Sequence, residues 1–250
     1  MVSAAPGQGS PLGSGGDEDS TRAAVRSMFA AVAHRYDFLN HFLSLGRDIA
    51  WRRATALALE EILARPGSRV ADLCCGTGDL SFCLGRHSQG LVMGADFCHP
   101  MLAMARGKAG AQARRVHFLE ADALHLPFGD ASLDAVTSAF GFRNLANYGR
   151  GIEEMRRVLK SGGRLAILEF SQVRRPIFGP LFRFYFRRVL PRIGAWISGA
   201  EGPYRYLPDS VARFPEQETL AEKLREAGFH NVSYVNFTGG VAALHVGEKP

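Results

Sequence analysis

The stretch VADLCCGTGDLSF, Val70 to Phe82, is an apolar run that stops at a glycine-rich turn and restarts as an amphipathic segment. That is the pattern of a buried strand, a tight turn and a helix whose first N–H groups face whatever the turn holds. Gly76 and Gly78 let the backbone come close to a ligand. A triphosphate-binding loop would need Lys and then Ser or Thr after its second glycine, and none follows here. A dinucleotide fingerprint would need a third glycine where Ser81 stands. Instead Asp72 precedes the turn and Asp79 lies within it. Carboxylates repel phosphate and attract an ammonium group.

Outward from this turn the pattern alternates. LVMGADF (91–97), RVHFLEAD (115–122), LDAVTSAF (133–140) and RLAILEF (164–170) read as strands. Helices are expected from Leu80 to Arg86, Pro100 to Lys108 and Ile152 to Leu159, with Gly162 and Gly163 capping the last. Strands alternating with helices imply an α/β fold, a parallel sheet covered on both faces. Asp96 ends the second strand, the usual place for binding a ribose diol. Asp122 ends the third, where a carboxylate can accept from an adenine amino group. A nucleoside with a cationic or zwitterionic end and no phosphate describes S-adenosylmethionine. The plainer reading of each acid is a loop carboxylate or a helix cap, and it suits Asp79 best.

The 250 residues, 46% of them hydrophobic, suffice for one domain. Residues 1–20, rich in Gly, Ser and Pro, read as a disordered tail, and 21–250 as a single domain. Its helical lid spans 21–65, with an apolar stripe at Val25, Met28, Phe29 and Val32 and a break near Ser44 to Gly46. An aromatic and basic insertion, 171–210, interrupts the sheet pattern. A helix is expected to begin at Pro215, in the favoured first turn, and to run through Leu220 and Leu224 to a stop at Gly228. NVSYVNF and AALHVGEK, joined by Thr-Gly-Gly, read as two final strands. No apolar run reaches about 18 residues, so no membrane span is expected, and the N-terminus lacks the pattern of a secretory signal. Cys74 and Cys75 fall in a strand-like run, which points them to opposite faces. They, Cys83 and Cys98 read as reduced thiols of an intracellular protein, with no spacing that suggests a metal. A net charge of +6 permits an anionic membrane or nucleic acid as partner without requiring either.

These residues together resemble the ubiquinone/menaquinone biosynthesis C-methyltransferases, from about Ser27 to Lys249. The likeness is carried by YDFLNHFLSLGRDIAWRR, DLCCGTGDLSF, ADALHLPF, AFGFRN, RVLKSGGRLAILEF and YRYLPDSVARFPEQETL…AGF…NFTGGVAALHVG. The resemblance implies a class I, Rossmann-like methyltransferase fold, seven strands with the last antiparallel. It implies transfer of a methyl group to a ring carbon of a polyprenyl demethylquinol. The Cys-Cys pair and GADFCHPML resemble bacterial menaquinone-pathway members, which implies demethylmenaquinol as acceptor, with the ubiquinone pathway as the alternative. Family cofactor positions fall on Thr77, Asp96, Asp122 and Ala123. Two departures stand out: Ala139 occupies a place often held by Ser, and Asp122 replaces an Asn of some relatives.

The chemistry needs alignment of donor and acceptor and a group that favours the phenolate of the quinol. Arg143, in the loop after the fourth strand, is expected to be that cation, with Asn144 orienting the ring oxygen and Tyr36 of the lid passing the proton. The resemblance places Tyr204, Tyr206 and Thr238 in the quinone pocket, while His245 reads as a hydrogen-bonded core residue. Phe178, Leu181, Phe182, Phe184, Tyr185 and Phe186, among arginines, suit an anionic bilayer or, equally, a cap buried on the domain or in a homodimer. The expected location is therefore cytoplasmic, peripheral on the inner face of the membrane. Nucleic-acid methylation is disfavoured, because AFGFRN replaces the Asn/Asp-Pro-Pro-aromatic motif and no cysteine lies near that loop. O-methylation of another lipophilic phenol and a non-enzymatic lipid- or cofactor-binding role are the remaining alternatives.

Overall fold

Along the first strand Val70 packs to one side and Ala71 and Leu73 to the other, and its neighbours repeat that division: Val92 against Met93 and Ala95, Ala135 against Val136. Such two-sided apolar strands require cover on both faces, and the computed structural model supplies it. It describes residues 9–10, 18–44, 46–110, 115–173, 176, 179, 188 and 202–250. The side chains of Tyr36 and Tyr204, and nearly all of the aromatic and basic segment from 174 to 201, lie outside the described residues.

The strands are β1 (Arg69–Leu73), β2 (Leu91–Asp96), β3 (Val116–Glu120), β4 (Leu133–Ala139), β5 (Leu159–Phe170), β6 (His230–Phe237) and β7 (Ala242–Glu248). They form one seven-stranded sheet in the order β3-β2-β1-β4-β5-β7-β6. β7 runs antiparallel to both its neighbours, as expected for the last strand. The helices are α1 (Glu18–Leu43), α2 (Arg47–Ala58), α3 (Glu60–Leu63), α4 (Asp79–His87), α5 (His99–Lys108), α6 (Tyr148–Val158), α7 (Gly202–Arg213) and α8 (Gln217–Glu226). One face of the sheet packs on Ile152 and Met155 of α6 with Leu220 and Leu224 of α8. The other packs on Trp51, Ile62 and Leu63 of α2 and α3 with Leu80 and Leu84 of α4. The strand order reverses between β1 and β4, and at such a switch point the carboxyl ends of an α/β sheet open a crevice.

Several local expectations are corrected. β1 ends at Leu73, and Cys74 takes a left-handed conformation (φ 53°), so the Cys-Cys pair belongs to the turn and not to alternating strand faces. Gly162 and Gly163 do not cap α6. The helix stops at Val158, Leu159 already pairs with Leu133, and the glycines lie in an irregular bulge within β5, where the Gly162 N–H donates to the Lys249 carbonyl (2.8 Å). Pro215 lies before the N-cap of α8, Glu216, whose carbonyl accepts the first helical bond from Leu220 (2.9 Å). α1 opens at Glu18, inside the stretch read as tail, and Glu18 accepts from Asn147 (3.1 Å). Earlier in that stretch the Ser10 N–H donates to the Leu145 carbonyl (2.7 Å). Among the described residues no helix is long and apolar enough to cross a membrane.

Candidate active site

Two loops meet at the switch point. The turn after β1 carries Cys74, and the turn after β4 carries Phe140, also left-handed (φ 58°), and Gly141. A side chain on Gly141 would run into the Cys74 Cβ, so the loops touch through a residue that has none. Beneath this contact lies a cavity walled by Cys74, Gly76, Asp96, Asp122, Ala123, Phe140, Gly141 and Asn144. Arg22 and Phe29 of α1 close one side. A smaller recess shares Cys74 and Gly76 and adds Arg52, Asp72, Thr77, Asp79 and Leu80.

The glycine turn is held open by its neighbours. The Gly76 N–H donates to Asp96 Oδ2 (2.8 Å) and the Cys98 N–H to Asp96 Oδ1 (2.8 Å), so Asp96 ties the turn to the end of β2. A Cβ on Gly78 (φ 87°) would lie 2.8 Å from the Phe118 ring. Ser81, at the position of the missing third glycine, donates to Asp72 Oδ2 (2.5 Å), while Thr137 donates to Oδ1 (3.1 Å). Asp72 is thus fully buried, with both oxygens engaged by hydroxyls. It borders the recess and braces β1, α4 and β4 together. Burial pushes Asp72 up to about 7 and Asp96 up to about 6, against the pull of their hydrogen bonds. It also raises the Cys74 and Cys75 thiols, with the nearby aspartates adding to the effect. Asp122 caps the Leu124 N–H (2.9 Å) and pairs with Arg22 of α1 (3.3 Å). Asp79, expected as a loop carboxylate or a helix cap, is instead the first residue of α4 and pairs with Lys108 (3.3 Å) and Arg52 (3.7 Å).

On the acceptor side the outcome is mixed. Asn144 lines the cavity and accepts from the Tyr206 hydroxyl (2.8 Å), which also bonds the Ser10 hydroxyl (2.9 Å). Arg143 is not brought to the cavity. Its side chain turns into the core, donates to Glu169 Oε1 (2.7 Å) and to the Phe140 carbonyl, and lies over the Phe170 ring (5.4 Å). A guanidinium placed beside apolar rings needs a buried counter-charge, and Glu169 supplies it. Burial raises the Glu169 carboxyl although Arg143 pulls the other way. Glu169 was overlooked in the sequence, where an acid in the apolar run AILEF was the signal. Thr238 is exposed, left-handed (φ 46°) and walls neither cavity. His245 is buried and its Nε2 donates to the Gln217 carbonyl (2.8 Å), the core histidine the sequence implied.

The arrangement fits S-adenosylmethionine. Its acids lie at successive strand ends, the backbone of Gly76 lines both the cavity and the recess, and burial disfavours the ionised state of Asp72 and Asp96, a state that a cation nearby would restore. Among solved structures the chain is similar to the [4+2]-cyclase SpnF (20% identity, TM-score 0.69, covering 98% of this chain and 99% of that one). It is also similar to a SAM-dependent methyltransferase of Thermotoga maritima (18% identity, TM-score 0.59, 90% and 100%). At these identities the likeness establishes the fold alone. Curated relatives are nearer. A demethylmenaquinone methyltransferase of Deinococcus radiodurans is 51% identical over 94% of this chain and 96% of that protein. A ubiquinone/menaquinone biosynthesis C-methyltransferase UbiE of Geotalea uraniireducens is 40% identical over 90% and 96%. With residues 17–249 matched by its model, the chain belongs to the ubiE/COQ5 methyltransferase family, and S-adenosylmethionine is its methyl donor.

Proposed function

We propose that this protein methylates a ring carbon of a polyprenyl demethylquinol, converting demethylmenaquinol to menaquinol. The reading is carried by one cavity that is lined both by Asp96 and Asp122 and by Asn144, whose amide oxygen accepts from the Tyr206 hydroxyl behind it. The near-complete coverage of a demethylmenaquinone methyltransferase at 51% identity supports this acceptor over a ubiquinone precursor.

When bound, the donor supplies an electrophilic methyl on a sulfonium. The protein's part is alignment and charge. Asp96 and Asp122 fix the nucleoside, and the glycine turn sets its depth. Because the Tyr206 hydroxyl donates to Asn144 Oδ1, the Asn144 amide keeps its NH₂ to donate to a quinol oxygen. That donor favours the phenolate, whose electron density feeds the adjacent ring carbon. The ring carbon would take that methyl as the thioether leaves, and loss of the ring proton would restore aromaticity. Arg143 acts at one remove. Its N–H and guanidinium anchor to Glu169, its carbonyl accepts from Tyr148 (2.9 Å), and together these hold the turn that carries Asn144. Tyr36 is kept as the group that passes the proton on through water. The aromatic and basic segment is proposed to rest on an anionic bilayer, where the prenyl chain resides, at the inner face of the membrane.

Labelled S-adenosylmethionine supplied with demethylmenaquinol, a ubiquinol precursor or RNA tests the reaction. The expected product carries the label on the ring carbon of menaquinol; label on oxygen or in RNA defeats the reading. Flotation with anionic liposomes tests the membrane contact, and absence of binding ends it.

A further inference from the structure

The recess beside the glycine turn contains a buried cation that neither the family likeness nor the reaction above assigns. Arg52 of α2 is 7% exposed and lines the recess with Asp72, Thr77 and Asp79. It bonds Asp48 one helical turn earlier, and its Nη2 stands 3.7 Å from Asp79 Oδ2, an ion pair too long for a hydrogen bond. Its guanidinium lies 5.4 Å from the centroid of Phe140, which walls the main cavity. An i,i+4 pair such as Asp48–Arg52 normally sits on a wet helix surface and contributes little. Burying this one is costly unless the guanidinium has further work.

The direction of the pocket says what that work is. With the nucleoside read onto Asp96 and Asp122, on one side of Gly76, the recess on its other side is the space left for the cofactor's amino-acid end. That end carries an ammonium and a carboxylate. Asp72 and Asp79 can answer the ammonium, but a carboxylate needs a cation. Arg52 is held there, its planar fork braced by Phe140 and suited to bidentate carboxylate binding. We propose that Arg52 binds the α-carboxylate of S-adenosylmethionine and makes the recess selective for an amino-acid-bearing nucleoside. The inference rests on the cofactor reading of the site.

Calorimetry on the full chain tests it with three probes: S-adenosylhomocysteine, its decarboxylated analogue and 5′-methylthioadenosine, which lacks the amino-acid end. Wild-type protein should bind the decarboxylated analogue at least about tenfold more weakly than S-adenosylhomocysteine. Arg52→Met should weaken S-adenosylhomocysteine by about 10- to 100-fold while leaving methylthioadenosine within about twofold. Arg52→Lys, with a point charge but no fork, should fall between. The inference is overturned if Arg52→Met leaves S-adenosylhomocysteine unaffected, or weakens it and methylthioadenosine equally. Should that variant fail to fold, equal wild-type affinity for the carboxylated and decarboxylated ligands overturns it alone. If wild-type protein binds none of the three, the cofactor reading itself fails, which is a distinct result.

Discussion

Gly141 shows how little a residue needs to contribute in order to decide a site. Its backbone (φ −117°) is open to any amino acid, so the demand for glycine is one of space: the Cys74 Cβ stands where a Gly141 Cβ would go. Gly141→Ala is therefore expected to force the β1 and β4 turns apart and to destabilise the fold by about 1–3 kcal/mol, the usual range for overpacking. Urea denaturation would read that loss, and calorimetry a parallel weakening of S-adenosylhomocysteine; an unshifted midpoint would mean the turns have slack. Asn144 makes a complementary case, since its orientation is set by the Tyr206 hydroxyl. Tyr206→Phe removes both bonds of that hydroxyl, to Asn144 and to Ser10, each of order 1 kcal/mol, and leaves the acids of the cofactor turn untouched. We expect kcat to fall about 3- to 10-fold with cofactor affinity unchanged. An equal loss of cofactor binding would place Tyr206 in the scaffold of the pocket instead of on the acceptor side.

At the scale of elements, α1 acts as a strap across the open edge of the cavity. Its Arg22 pairs with Asp122 and its Arg26 with Glu120 (2.8 Å), while Phe29 closes the wall. These pairs are partly exposed and each is worth at most about 1 kcal/mol. The double variant Arg22→Ala, Arg26→Ala should accordingly speed S-adenosylhomocysteine release a few-fold and flatten its dependence on salt. Stopped-flow dissociation measures both, and a rate unmoved at low salt removes α1 from the binding step. The central strands were legible because each carries its own apolar run, and the acids at their ends because a strand end is a fixed place in this architecture; the reversal of β7 came from the family resemblance alone. What escaped was whatever depends on a partner distant in sequence. Arg143 in FGFRN looks like a free cation until the sheet brings Glu169 beneath it, 26 residues on. Arg52 in AWRR looks like a surface residue until α2 folds against the glycine turn. Gly162 and Gly163 look like a helix cap because the antiparallel pairing of β7, which sets their turn against Lys249, is not written locally.

For the molecule as a whole, the site is a concentration of acids that burial pushes toward protonation: Asp72 up to about 7 and Asp96 up to about 6, both from an ordinary value of 3.8. The sign of the consequence follows from linkage. The folded chain retains protons that the unfolded chain would release, so the contribution of these groups to stability falls as pH rises from about 4 toward 7 and is level above that. A sulfonium and an ammonium brought beside the carboxylates favour their ionised forms, so binding S-adenosylmethionine near neutrality must expel protons. Its affinity should rise as pH climbs through the interval from about 6 to about 7, then decline above about 8, where the ligand's own amino group loses its charge. Calorimetry in phosphate and in Tris, whose ionisation heats differ, should give discordant apparent enthalpies at pH 6.5 and concordant ones closer to pH 8. Asp72→Asn separates the two aspartates. Both its partners are hydroxyls that can donate or accept, so the amide keeps the bonds to Ser81 and Thr137 while the charge is gone. That variant should be the more stable protein at pH 8 and close to wild type at pH 5, yet it should bind S-adenosylmethionine more weakly and release fewer protons in doing so. Identical enthalpies in the two buffers at pH 6.5 would show that the aspartates are already ionised and that the pocket attracts its cationic ligand by some means other than stored carboxyl protons.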